Sequence, residues 1–179
     1  MIRAFVALDL PQVLRSRLAI LSQMLPLPRR EPEENYHLTL CFLGEVPEPL
    51  LEDVHYALEG MRAGAVDLRL SGVDSFGDDR PRLVYAGVAP DDALAALQKK
   101  VVTAVRRAGC ELERRRFVPH VTLGRFAPEA ADLPRLRAAM VQMAGFGTDP
   151  VRIEELTLFQ SHLGRGGAHY EPLARYPLH

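Results

Sequence analysis

The chain has no tryptophan, only two cysteines, no apolar run long enough to cross a bilayer and almost no net charge. Cys41 and Cys110 carry neither metal-ligand nor redox spacing. They read as reduced intracellular thiols, the usual state of cysteine in the cytosol. The apolar opening, Met1 to Leu10, is interrupted by Asp9, stopped by Pro11 and lacks a cleavage-site pattern, so neither a membrane span nor a secretory leader is expected. Cytoplasmic residence follows. A net charge of −1 excludes a protein that coats long stretches of duplex nucleic acid, because such binding neutralises many phosphates. A basic pocket for a single phosphate remains compatible with it. There is no Gly-x-Ser-x-Gly nucleophile elbow and no Walker-type glycine loop. Neither His37 nor His120 has a second His, Asp or Glu in phase beside it, so no metal and no cofactor is expected.

What is present is a duplicated stretch, His37-Leu38-Thr39-Leu40 and His120-Val121-Thr122-Leu123. In a β-strand this alternation sends His and Thr to one face and the two apolar residues to the other. The surrounding pattern repeats as well. Ile2–Leu10 is rich in β-formers, residues 12–25 carry apolar positions at helical spacing, and the first His/Thr strand runs from Tyr36 to Leu43, closed by Gly44. Pro47 and Pro49 open a second helix, and Val66–Phe76 reads as a strand. After a turn-rich midpoint at Gly77–Pro81 the order recurs: strand Arg82–Val88, helix Asp91–Ala108, His/Thr strand Phe117–Phe126, helix Leu133–Ala144, strand Val151–Ser161. A glycine loop, Gly164–Gly167, leads to a last strand or hairpin return. At 179 residues, 47% hydrophobic and 25% charged, the chain suits one domain over residues 1–179, with two lobes sharing a core.

Imidazole titrates near neutrality, so two histidines facing each other across a cleft can serve as free base and as cation in one site. A threonine hydroxyl two residues along the same strand face can donate to an oxygen of the anion that the histidine addresses. One His-x-Thr tripeptide would be unremarkable, since strand histidines are often just half-buried and bonded to backbone. Two copies at matching places reverse that reading. His37 and His120 are therefore the candidate acid/base pair, and Thr39 and Thr122 the candidate phosphate donors.

The stretches His37–Val46 and Phe117–Arg125, with Arg3–Ala7 at the start, Phe76 at the centre and Leu158–Ser161 followed by Tyr170–Leu173 at the end, resemble the 2H phosphoesterases. Within them they are similar to the RNA 2′,3′-cyclic phosphodiesterases once named 2′-5′ RNA ligases. The resemblance implies an α+β fold: two antiparallel sheets with outer helices, related by a pseudo-two-fold, around a central cleft into which both His/Thr strands point. It also implies metal-independent hydrolysis of RNA ends or nucleotides bearing a 2′,3′-cyclic phosphate to a 2′-phosphate, with reversible 2′-5′ ligation as the companion activity, in a monomer. Arg125 matches the family's motif-end arginine. It lies five residues past His120, out of phase for a regular strand, so a bulge or strand end after Gly124 is needed to turn it inward. Relatives often carry a tryptophan before the first motif, where this chain has Arg29-Arg30.

Other candidates carry two readings each. Arg29-Arg30 and Arg114-Arg115-Arg116 precede the two motifs, either as guides for an RNA end or as solvated loop arginines. Phe76 and Tyr85 are either base-stacking or core residues. His55, His162 and His169 read as surface residues, and Ser161 and Tyr170 are given no chemistry. Two alternatives to the leading function stand: the same site acting on another cyclic phosphate, and a non-catalytic RNA-end or nucleotide-binding module using the same cleft.

Overall fold

The computed structural model describes all 179 residues. Its elements follow in the order β1 (Ile2–Asp9), α1 (Gln12–Gln23), β2 (His37–Val46), α2 (Glu48–Glu59), β3 (Val66–Leu68), β4 (Leu70–Phe76), β5 (Leu83–Val88), α3 (Asp92–Arg107), β6 (His120–Arg125), α4 (Leu133–Gln142), β7 (Val151–Ile153), β8 (Glu155–Gly164) and β9 (Gly167–Pro177). Every strand pairing is antiparallel. One sheet runs β2-β1-β8-β9, another β4-β5-β6, and β3 pairs with β7 in a small third ladder.

The two long strands expected at 66–76 and 151–161 are each broken, at Arg69 and at Glu154. Their first three residues pair with each other, Asp67 opposite Arg152. Their remainders then cross into the other half's sheet, β4 beside β5 and β8 beside β1. Each large sheet is thus built from both halves of the chain. The turn-rich stretch at 77–81 is the hairpin loop joining β4 to β5 inside one sheet, rather than a break between lobes. β2 runs past Gly44 to Val46, with Gly44 at φ 74° and Leu43 the unpaired residue of a bulge. Phe117–Pro119 stay outside β6, and Pro119 has no N–H to offer a ladder.

A single cluster of 36 buried residues draws on both sheets. Leu38, Leu40, Val121 and Leu123, the apolar partners of the repeated stretch, are 0%, 3%, 0% and 0% exposed. α3 shows how helices close the core. Leu94, Leu97, Val101 and Val105 are buried at three- and four-residue spacing, which is one helical face. Asp91 caps the start by accepting the Leu94 N–H at 2.7 Å, and Arg106 and Arg107 offset the dipole at the end.

Candidate active site

The two His/Thr strands are edge strands of different sheets, and they meet each other across the cleft. Their first six residues bury in the same order: half-buried, buried, half-buried, buried, buried, exposed. That pattern breaks strict alternation because each strand carries a bulge at the same place. On β2, Thr39 pairs with Ala7 and Cys41 with Val6, leaving Leu40 unpaired. On β6, Thr122 pairs with Tyr85 and Gly124 with Val84, leaving Leu123 unpaired.

A bulge residue loses its ladder partners, and each of these two carbonyls is taken by the opposite half of the chain. Leu40 O accepts from the Gln98 side chain at 3.3 Å, and Leu123 O accepts from the Glu31 N–H at 2.8 Å. The loop carrying Glu31 lies so close that a Cβ on Gly124 would stand 2.4 Å from the Arg29 carbonyl oxygen. The bulge falls at Leu123, one residue earlier than the sequence suggested, and it shifts the facing by one position. Arg125 therefore returns to the side of His120 and Thr122. Its counterpart on β2 is Phe42, so the pseudo-symmetry ends in a cation on one strand and an exposed aromatic ring on the other.

Both histidines are held alike. Nδ1–H of His37 donates to Asn35 O at 2.7 Å, and Nδ1–H of His120 donates to Val118 O at 2.7 Å. A backbone carbonyl on Nδ1 sets the tautomer and leaves Nε2 to do chemistry. Each ring is also wedged by aromatics. Tyr170 meets His37 edge-on with centroids 5.0 Å apart, and Phe76 meets His120 edge-on at 5.0 Å. Phe5 lies 4.9 Å from the first ring and Tyr85 5.2 Å from the second. The copies differ at the threonines: Thr39 Oγ1 is 3.0 Å from Nε2 of His37. Thr122 is half-buried on the same face as His120.

Burial pushes His37 down to about 4; the Asn35 carbonyl opposes this, while positive charge on Arg125 and on His120 adds to it and Asp9 opposes. His120 is pushed below the usual imidazole value by burial, against its Val118 bond, and again by Arg125. The positive charge of Arg125 thus acts on both rings. No group of three or more His, Cys, Asp or Glu side chains is placed to hold a metal ion.

Asn35, Phe5 and Phe159 were not singled out from sequence as site residues, whereas Phe76 and Tyr85 were weighed as base-stacking or core residues. Asn35 is 6% exposed, and its side-chain amide donates to Ala168 O at 2.8 Å and to Glu31 at 3.0 Å. Arg15 pairs with Asp9 and donates to Glu33 O at 2.6 Å, pinning the turn from which Asn35 projects. A cavity of about 140 Å³ adjoins His37, lined among others by Asp9, Arg15, Phe159, Tyr170 and Arg175. No repeated pattern marked Asn35, since the matching position before His120 is Val118; Phe5, Phe159 and Tyr170 lie in stretches that carry the family resemblance but had no role assigned. Tyr85 is buried and Phe76 keeps an exposed edge. His55 is not a plain surface residue, since it bonds to the Tyr176 hydroxyl at 2.9 Å. His162 is exposed and paired with Glu171 at 2.8 Å.

The chain matches known proteins over nearly its whole length. The sequence profile of the 2′-5′ RNA ligase superfamily matches residues 21–165. An RNA 2′,3′-cyclic phosphodiesterase of Escherichia coli K12 is 32% identical over 98% of this chain and 96% of its own length. One of Aeropyrum pernix is 34% identical over 79% of this chain and 81% of its own length. A third, of Geobacillus stearothermophilus, is 32% identical over 88% of this chain, which spans only half of that protein. The crystal structure of Escherichia coli LigT complexed with 3′-AMP superposes with a TM-score of 0.80 at 29% identity, covering 99% of this chain and 98% of that one. No helix here is long and apolar enough to cross a membrane. With an α+β architecture, paired His/Thr strands and these matches, the chain belongs to the 2′-5′ RNA ligase superfamily.

Proposed function

We infer that this chain is an RNA 2′,3′-cyclic phosphodiesterase, opening a terminal cyclic phosphate to a 2′-phosphate with His37 and His120 as its proton-transfer pair. Relatives of that name at about the same length support the activity. The observation that carries the site is the matched clamping of both imidazoles through Nδ1. It leaves two Nε2 atoms for one cleft, beside Arg125.

Both imidazoles are neutral in the free protein at pH 7, given their lowered values. A bound phosphodiester anion favours protonation of one of them, which creates the acid without disturbing the base. The neutral ring takes a proton from water as its oxygen attacks phosphorus. The charged ring gives its proton to the departing 3′ oxygen, so the protons balance over one turnover. Thr39 and Thr122 donate to the equatorial phosphate oxygens, and Arg125 offsets their growing charge. For this Thr39 turns from Nε2 of His37 to the phosphate, which frees the lone pair that the base needs. An RNA 5′-hydroxyl in place of water attacks phosphorus in the same direction, forming a P–O5′ bond as the P–O3′ bond breaks, and gives 2′-5′ ligation; the reverse step cleaves that linkage back to the cyclic phosphate.

Both histidines belong to one chain, so a monomer suffices. Two buried, unpaired thiols fit a reducing cytoplasm. The test is product identity: ³¹P NMR of a nucleoside 2′,3′-cyclic phosphate incubated with the enzyme in EDTA. The expected product is the 2′-phosphate alone; intact substrate bound without turnover would instead support a nucleotide-binding module.

A further inference from the structure

Two arginine runs precede the two histidine strands, and the fold treats them differently. Arg30 is consumed by the fold: its guanidinium donates to Ser22 O at 3.1 Å and Leu25 O at 2.8 Å, closing the end of α1. Arg29 packs against Gly167, where a Cβ would stand 2.7 Å from its Nη2. In the second run Arg115 is paired with Glu113 at 2.5 Å. Arg114 and Arg116 are exposed and make no hydrogen bond or ion pair. They lie in the irregular segment between α3 and β6. That segment, with the end of α3, holds five arginines against two glutamates between 106 and 116, in a chain whose net charge is −1. Arg106 and Arg107 are accounted for by the α3 dipole. Arg114 and Arg116 have no structural duty.

Their position gives them one. Arg116 is four residues before His120, so its Cα lies within about 14 Å of the histidine even if the chain is fully extended. The segment enters the site directly, because Val118 supplies the carbonyl that holds His120. A nucleotide whose cyclic phosphate occupies the cleft continues, in RNA, as a strand of phosphates leading away from it. A compact basic loop beside the reacting end suits a few phosphates of a single strand, whereas the small overall charge does not suit a long duplex.

We propose that the Arg114–Arg116 loop is a docking surface for single-stranded RNA upstream of the reacting end, making the preferred substrate an oligonucleotide rather than a mononucleotide. This rests on the cyclic phosphodiesterase reading for the chemistry, but the binding measurement that tests it does not. Fluorescence anisotropy compares a labelled oligoribonucleotide ending in 2′,3′-cyclic phosphate on the wild type and on the double variant Arg114→Ala, Arg116→Ala. The variant is expected to bind roughly tenfold more weakly at low salt, with the salt slope of log Kd reduced by about 1.4, or about 0.7 per phosphate contact on a single strand. The companion measurement is kcat/KM on the oligonucleotide and on a nucleoside 2′,3′-cyclic phosphate. The oligonucleotide value falls by a similar factor and the mononucleotide value stays unchanged, which also reports that the variant is folded. Unchanged oligonucleotide affinity and slope, or an equal loss on both substrates, overturns the proposal. Absence of turnover in the wild type, with the affinity loss intact, would instead overturn the catalytic reading and leave the surface supported.

Discussion

The Asn35 carbonyl accepts the Nδ1 proton of His37 at 2.7 Å, and the same residue's buried side chain is tied to β9 through Ala168 O at 2.8 Å. The strand histidine is thus oriented by a residue that is itself fixed to the far edge of the sheet. His120 receives its carbonyl from Val118, whose side chain has no such anchor. The two halves of the site are symmetric in what touches the ring and asymmetric in what holds the holder.

Replacing Asn35 by Ala keeps the carbonyl and removes the anchor. The expected result is a fall in kcat of about tenfold or more with KM little changed, the usual scale for a group that orients a reacting ligand. Long-range ¹H–¹⁵N correlation of the His37 ring reads the tautomer directly and should show the Nδ1–H form less populated. An unaltered tautomer with unaltered kcat would remove Asn35 from the mechanism.

Both imidazoles are pushed down by burial first, so the bell-shaped pH profile of kcat/KM is expected to be centred on the acid side of about 6.5, the unperturbed imidazole value. The profile reports the pair's apparent values, not those of one ring. Substrate brings a negative charge, which favours the protonated form, so the kcat profile should lie at higher pH than the kcat/KM profile. Steady-state rates across the acid and neutral range check both statements; superimposable profiles centred above neutrality would contradict them.

The same shift makes stability depend on pH. In the unfolded chain His37 takes up a proton near pH 6.5, but in the folded protein only near 4. Between those values the unfolded state binds more protons, so stability rises with pH there. The contribution is complete above the unfolded value and lost progressively as pH falls toward 4. In urea denaturation, His37→Gln should lose less stability than the wild type between neutral and acid pH, and parallel losses would refute the account.

Gly124 has no room for a side chain, since a Cβ would meet the Arg29 carbonyl at 2.4 Å. Gly124→Ala is expected to cost about 1–3 kcal/mol, the range of overpacked sites. It should also displace the loop whose Glu31 N–H satisfies the β6 bulge. Thermal unfolding and the rate measure the two effects; an unchanged midpoint would show that the loop yields freely.

Much of this arrangement was legible in the residues. The alternation in His37–Leu40 and His120–Leu123 assigned a chemical face and a core face to each strand, and Leu38, Leu40, Val121 and Leu123 are buried accordingly. The phase of Arg125 demanded a bulge, and one is there. Local pattern does not carry the exchange of β4 and β8 between halves, because a strand's own alternation reads the same whichever sheet it joins. Nor does it carry the matching bulge on β2, whose evidence is a carbonyl taken by Gln98 from a distant helix. The wedging of each histidine by aromatics from other strands of its own sheet is likewise a product of the fold.

The central claim is that His37 and His120 form one acid/base pair. Its most direct test is the single-turnover rate of ring opening of a nucleoside 2′,3′-cyclic phosphate, in EDTA, by the wild type, His37→Ala and His120→Ala. Each substitution should slow ring opening by roughly 10² to 10⁴, with the double variant little slower than the worse single one. Wild-type rates in either single variant would contradict the account.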